Sequence, residues 1–337
     1  MSTPRDDGFR MPAEWAPHRA TLMSWPTVTR RDFWGDLFGQ AKADWATVAN
    51  AVASFEPVVM LADPEQVPEA RAMCGEGVEI LPVPIDDSWM RDNGPIFVTD
   101  GRGGVALVHF RFNAWGEKYL PYDRDAEVPK HVAAHLGMRR YEAPMILEGG
   151  SIFVDGEGTL LTTEQCLLHP NRNPGMSREQ IESTLGDYLG VDRVIWLGQG
   201  HPLDRDTDGH VDAIAQYLSP GAILLDAPAD PADPYHETGR DNLARLSAAR
   251  DAAGRAVDVV VFEAGTPSVT AYMNHYLVNG GVIVPADGEP GDGAALEQLR
   301  AAYPEREIVT VPGATILAGG GGPHCITQQI PEVTPIA

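Results

Sequence analysis

The chain has 337 residues and 43% hydrophobic content, enough for one large domain or two ordinary ones with a substantial core. Its 48 acidic residues outnumber 25 basic ones, a formal net charge of −23. That balance argues against nucleic acid and against an anionic membrane surface, both of which are bound through lysine and arginine, and it permits a small cationic partner while also serving solubility.

The three cysteines, Cys74, Cys166 and Cys325, are too few and too far apart for a disulfide framework or a paired-cysteine metal site. The N-terminus is polar, and no run approaches the roughly 18 apolar residues of a membrane span. The expectation is a protein of the reducing cytoplasm.

In chain order, residues 1–10 read as a disordered lead-in, and the Trp- and Pro-rich stretch 11–26 as an ordered, non-helical segment. The spacing of Trp45, Val48, Ala49, Val52 and Phe55 predicts a helix over 38–55, ended by Pro57. Strands are predicted at 58–61 and 78–83, with a short helix at 65–73 between them. From there a unit recurs: a polar loop containing glycine, a short strand, a hairpin, a helix and a further strand. The helices fall at 126–136, 178–189, 241–253 and 294–302; the second of these opens on a Ser177/Gln180 capping box and stops at Gly190. Nearby strands are expected at 104–110, 158–163, 193–197, 222–225, 257–262, 281–284 and 308–311.

Five polar loops punctuate this pattern, at Asp92, Glu148, His210, Asn274 and Cys325, separated by 56, 62, 64 and 51 residues. Near-constant intervals mark a repeat architecture. No composition break divides the chain, so residues 11–331 are expected to form a single domain, with 332–337 as a tail. A closed ring of such units would gather the five loops at one central end, where rigid scaffolds carry chemistry.

Taken singly, the chemical residues are ambiguous. Cys325 follows Gly319-Gly320-Gly321-Gly322-Pro323-His324, and is either a nucleophile or a buried spectator. His210 and Asp212, two apart, would share a face if they lay on a strand. Asp92 and Glu148 sit in turns that need no function. Asp204 to Gly209 has the carboxylate spacing of a calcium loop, but Ala215 stands where the bidentate Glu is required. A metal site from His201, Asp204 and His210 lacks a recognised spacing. Neither a P-loop nor a Gly-x-Ser-x-Gly elbow is present.

Together, Met11-Pro-Ala-Glu-Trp15, Trp89-Met-Arg-Asp-Asn-Gly-Pro95, Glu148-Gly-Gly150, Gly209-His-Val-Asp212, Asn274-His-Tyr276 and the run from Gly319 through His324-Cys325-Ile-Thr-Gln-Gln329 resemble the agmatine deiminase family, over residues 11 to 331. The resemblance implies an α/β fold, a five-bladed pseudo-symmetric propeller of ββαβ units of the pentein type. It implies Cys325 as nucleophile, His210 as general acid/base, Asp92 and Asp212 gripping a guanidinium, Glu148 orienting His210 and assisting the grip, and Trp89 lining the pocket. Asp206, Gly320 and Gly321 are placed beside the substrate. No metal or organic cofactor is implied, and a homodimer is expected from the resemblance alone. Asp206-Thr207-Asp208 stands where the family usually has Glu-Thr-Asn, and Ala213 where it has Asn, so the end of the pocket that holds the distal amine is open to change. The implied reaction turns agmatine and water into N-carbamoylputrescine and ammonia. The alternatives are deimination of another guanidine (arginine, peptidyl arginine or an alkylguanidine), a metal-dependent hydrolase using residues 201–212, and a non-catalytic binding propeller.

Overall fold

The computed structural model describes residues 2–263 and 271–332. Its strands form five small sheets. Four share one plan, in which a hairpin is followed by a helix and a strand that returns parallel to the second hairpin strand. The first joins Ile96–Thr99 and Val105–Arg111 to Arg139–Ile146 through the helix Val128–Leu136. The second joins Ile152–Val154 and Thr159–Thr163 to Arg193–Leu197 through Arg178–Leu189. The third joins Ala215–Ser219 and Ala222–Asp226 to Asp258–Phe262 through His236–Ala248. The fourth joins Tyr276–Val278 and Gly281–Pro285 to Glu307–Val311 through Asp292–Ala302. Parallel neighbours require such a crossover.

The fifth sheet is built from both ends of the chain. Thr327–Pro331 pairs antiparallel with His18–Ser24, which the helix Phe38–Ala53 connects to parallel Val58–Ala62. The helix Val67–Met73 then adds one more parallel strand, Val78–Pro82. Every residue of Val58–Ala62 is buried, as expected of a parallel strand covered on both faces.

Local sequence signals explain where elements begin and end. Ser177 and Gln180 form the expected capping box, and Gly190 closes that helix in the left-handed region at φ 70°. The third crossover helix starts five residues earlier than the expected 241. The Asp233 side chain accepts the Tyr235 N–H at 2.7 Å and turns the chain into the helix. It stops at Ala248 because Asp251 accepts the Arg255 N–H at 2.8 Å and folds 250–256 into a tight turn.

Residues 2–10, expected to be disordered, are instead fastened. Arg10 and Thr99 exchange backbone hydrogen bonds, the Arg5 N–H donates to Asp187 O at 3.0 Å, and the Tyr141 hydroxyl donates to Asp7 at 2.6 Å. Met1 lies outside the described residues, and so does the expected tail beyond Glu332. Among the described residues no helix is long and apolar enough to cross a membrane.

Candidate active site

Each unit presents its opening loop to the same place. Asp92 lies in a one-turn helix, Met90–Asn93, whose Arg91 ties it to the last strand. The Arg91 N–H donates to Cys325 O at 3.1 Å, and its guanidinium donates to Gln329 Oε1 at 2.9 Å and to His324 O at 3.3 Å. Glu148 precedes the turn Gly149–Ser151, where the Gly150 N–H donates to Asp92 Oδ1 at 3.0 Å. Gly150 must be glycine: a Cβ there would lie 2.6 Å from His210 Nδ1 and 2.9 Å from both Asp212 Oδ2 and Asp92 Oδ1.

His210 and Asp212 do not lie on a strand. They flank Val211 in a 3-10 turn, and pairing starts at Ala215. The reason is upstream. The Asp204 carboxylate accepts the N–H groups of Asp206, Thr207, Gly209 and His210, winding 204–210 into a compact loop. This also corrects the metal readings of 201–212. Asp204 serves its own backbone, Asp206 accepts from the Tyr119 hydroxyl, and Asp208 accepts from Lys118, Asn171 and Arg172. The His201 ring sits 5.1 Å from that of Tyr235, and among the described residues His201, Asp204, Asp206 and Asp208 form no cluster of ligand atoms.

The fourth loop contributes Asn274, whose Oδ1 accepts the Cys325 N–H at 3.1 Å while its Nδ2 donates to Asp212 O at 3.3 Å. The Cys325 Sγ then lies 3.4 Å from Asp212 Oδ2. Asp212 Oδ2 also meets His324 Nδ1 at 2.8 Å, and His324 Nε2 meets Glu14 Oε2 at 2.8 Å. His210 stands between the other two carboxylates, with Nδ1 3.8 Å from Asp92 Oδ1 and Nε2 3.9 Å from Glu148 Oε2. Glu148 Oε1 accepts from Arg172 Nε at 2.6 Å, with both side chains fully buried.

The electrostatics follow from burial and these neighbours. Burial together with Asp212 and Asp92 pushes the Cys325 thiol well above its ordinary value. Burial, with Asp212 and Glu148 nearby, raises Asp92 to about 6 despite the opposing pull of His210. For His210, burial disfavours the cation, but Asp92, Cys166 and Glu148 outweigh it and hold its pKa well above the usual histidine range. Asp212 is desolvated too, yet His324 keeps it below the ordinary carboxylate value.

A pocket of about 370 Å³, solvent at its mouth included, opens onto Cys325 and Asp92. Cys325, Asp92, Trp89, Asp206 and Gly320 line it, together with Trp115 and Tyr119. Trp89 is braced by Trp34, stacked at 6.4 Å, and by Trp45, edge-on at 5.6 Å. Gly321 lies behind it, where a Cβ would meet Trp89 at 2.7 Å and Cys325 Sγ at 3.0 Å. Gly320 has φ +102°, and a Cβ there would meet Asp206 at 2.8 Å. All nine residues singled out from sequence therefore converge: Cys325, His210, Glu148, Asp92, Asp212, Trp89, Asp206, Gly320 and Gly321.

Sequence reasoning missed Trp115, whose Nε1 donates to Asp92 Oδ2 at 2.9 Å. The backbone around it is unusual, with positive φ at Ala114, Trp115, Gly116 and Glu117, and only the Trp-Gly pair hinted at it. Sequence reasoning gives Asn274 a loop but no role, carries Glu14, Arg91 and His324 only inside motifs, and does not reach Arg172.

Four ββαβ units and a fifth sheet built from both chain ends thus gather a buried thiol, an imidazole and three carboxylates. Residues 10–331 match the family model described as Porphyromonas-type peptidyl-arginine deiminase, and the chain belongs to that family. It is thus an enzyme, a hydrolase acting on C–N bonds. It is 46% identical to the agmatine deiminase of Stutzerimonas stutzeri, covering 98% of this chain and 97% of that one. It is 44% identical to the agmatine deiminase of Pseudomonas aeruginosa UCBPP-PA14 with the same coverage. Among solved structures, the agmatine deiminase of Enterococcus faecalis superposes with a TM-score of 0.95 at 36% identity, over 99% of both chains.

Proposed function

We propose that this chain deiminates agmatine, yielding N-carbamoylputrescine and ammonia through a covalent intermediate on Cys325. The observation that carries the reading is one constellation: the Cys325 Sγ, 3.4 Å from Asp212, shares a pocket with Asp92, and His210 stands 3.8 Å from Asp92. We read the five sheets as blades of a five-bladed propeller forming one domain over 11–331, because that arrangement brings the five loops to one end.

A guanidinium is planar, permanently charged and carries paired N–H donors, which suit two carboxylates. Asp92 and Asp212 would hold it with its central carbon against the sulfur, a positioning effect. The bound cation also supplies the charge the resting site lacks, so the thiol gives up its proton to solvent when substrate is present. The thiolate adds to the central carbon. His210, held as imidazolium, passes its proton to the departing nitrogen and ammonia leaves, with an amidino-thioether remaining on Cys325. Neutral His210 then takes a proton from water, and the hydroxide adds to the same carbon. Collapse expels the thiolate, which takes up the proton of the former hydroxyl, and the neutral ureido product and the Cys325 thiol are released. Trp89 and Trp115 wall the alkyl chain, and Asp206 meets the distal ammonium.

The test is product analysis with agmatine, arginine and a peptidyl arginine in parallel. Ureido product and ammonia should appear with agmatine ahead of the others and disappear in Cys325→Ala. Turnover persisting in that variant would exclude the covalent route, and a preference for peptidyl arginine would exclude the substrate.

A further inference from the structure

Behind the pocket lies a second thiol that the reaction above does not use. Cys166 is fully buried in the one-turn helix Glu164–Leu167, which Thr163 caps by accepting the Cys166 N–H. Its Sγ, a His210 ring nitrogen and a Glu148 carboxylate oxygen all lie within 4.8 Å of one another. Both ring nitrogens of His210, and Glu148 Oε2, are buried with no hydrogen-bond partner among the described residues. Three neighbouring donors, two of them orphaned, are what an ion would satisfy. One sulfur, one nitrogen and one oxygen suit a borderline-soft divalent cation with a fourth position left open. Arg172 holds the other oxygen of Glu148 at 2.6 Å and fixes that carboxylate, as an outer partner does in metal sites, although its own charge opposes the ion.

We propose that Glu148, Cys166 and His210 form an inhibitory site for zinc-like divalent cations, separate from the nucleophile Cys325. Binding releases the Cys166 thiol proton and any proton on His210 to solvent, forming metal bonds to sulfur, nitrogen and oxygen without redox change. Occupation withdraws His210 from proton transfer. That inhibition rests on the proposed role of His210, whereas the binding itself does not.

Two measurements keep these apart. In the Cys325→Ser protein, which lacks the pocket thiol, cadmium titration should produce a thiolate-to-metal charge-transfer band that saturates at one equivalent. Adding Cys166→Ala should abolish the band, while a band that survives would assign the ion to Cys74 and overturn the site. Cys166→Ser, with metal-free thermal unfolding measured alongside, separates ligand loss from misfolding. In the enzyme with Cys325 intact, zinc should inhibit, and Cys166→Ala should weaken that inhibition relative to its own zinc-free rate. The loss should be at least the roughly 10–100-fold that follows removal of an outer partner. Cadmium binding through Cys166 with zinc-insensitive turnover would overturn the inhibitory assignment and the role of His210 together.

Discussion

The two clusters that flank Cys325 are equally buried but differently finished. On one side the chain Asp212–His324–Glu14 is closed. Both ring nitrogens of His324 are engaged at 2.8 Å, and the second oxygen of Glu14 accepts the Leu277 N–H at 3.2 Å. On the other side His210 stays nearly 4 Å from Asp92 and Glu148, and neither of its nitrogens is bonded among the described residues. A buried polar atom left unpaired costs about 1–3 kcal/mol, so an open cluster persists only where something else compensates it. On the proposed mechanism, the difference separates groups that hold the Cys325 loop from groups left free to exchange protons with a substrate.

His210→Asn is the largest break in that comparison. Turnover should fall by about 100- to 10,000-fold, the range of general acid–base catalysis. Its urea midpoint should fall by less than that of the closed side, because the ring gives up ion pairs at nearly 4 Å rather than hydrogen bonds. A stability loss as large as that of the closed side would show that the two clusters do the same work.

His324→Asn should reverse the pattern, lowering stability by about 3–5 kcal/mol because Asp212 and Glu14 lose their shared partner in a buried site. The pH dependence has a definite sign. Desolvation would raise Glu14, but His324 wins and holds it at about 2, below its ordinary 4.5. Its contribution is therefore present above 4.5 and lost as pH falls toward about 2. His324 is raised above 6.5, against burial and Arg91, by Glu14 and Asp212. Its contribution is full below 6.5 and lost as pH rises through its folded value. Urea unfolding of wild type and variant should differ most between these limits and converge in acid.

Gly150→Ala attacks the space between the clusters. A Cβ 2.6 Å from His210 Nδ1 and 2.9 Å from both Asp92 and Asp212 displaces all three, and misplacement of about 1 Å costs about 100-fold. Gly175→Ala, where a Cβ meets nothing within 4 Å, is the control and should leave steady-state kinetics unchanged.

The closed side was harder to read from sequence than the open one, for a physical reason. Asp92, Glu148, His210, Asp212 and Cys325 stand within three residues of a glycine in loops that recur at similar intervals, so pattern and resemblance both reached them. The ββαβ order was legible because hairpin turns, capping signals and apolar runs are local, and the capping box at Ser177 fell where expected. Glu14 reaches His324 across 310 residues, and Arg91 reaches Gln329 across 238. Partnerships at that range depend on the N- and C-terminal strands sharing one sheet, which no local signal encodes. The same non-locality hid the anchoring of residues 2–10. His210 and Asp212 were rightly paired but for the wrong backbone, since the carboxylate of Asp204 overrides the strand alternation.

The gentlest probe of the open side is the single donor that steadies it. Trp115 Nε1 gives Asp92 Oδ2 a hydrogen bond at 2.9 Å, which favours the ionised carboxylate. Asp92 sits at about 6 because burial and its acidic neighbours prevail, and only the ionised form grips a guanidinium. In the wild type kcat/KM for agmatine should therefore decline as pH falls through about 6. Trp115→Phe keeps the aromatic wall and removes the donor, so the acid limb should move to higher pH. The loss at neutral pH should correspond to about 0.5–1.5 kcal/mol, up to roughly tenfold. His210 is held above the usual histidine range, so its own deprotonation belongs to the alkaline side of the profile. An acid limb that does not move in Trp115→Phe would assign the titration to another group and remove Asp92 from the grip on the cation.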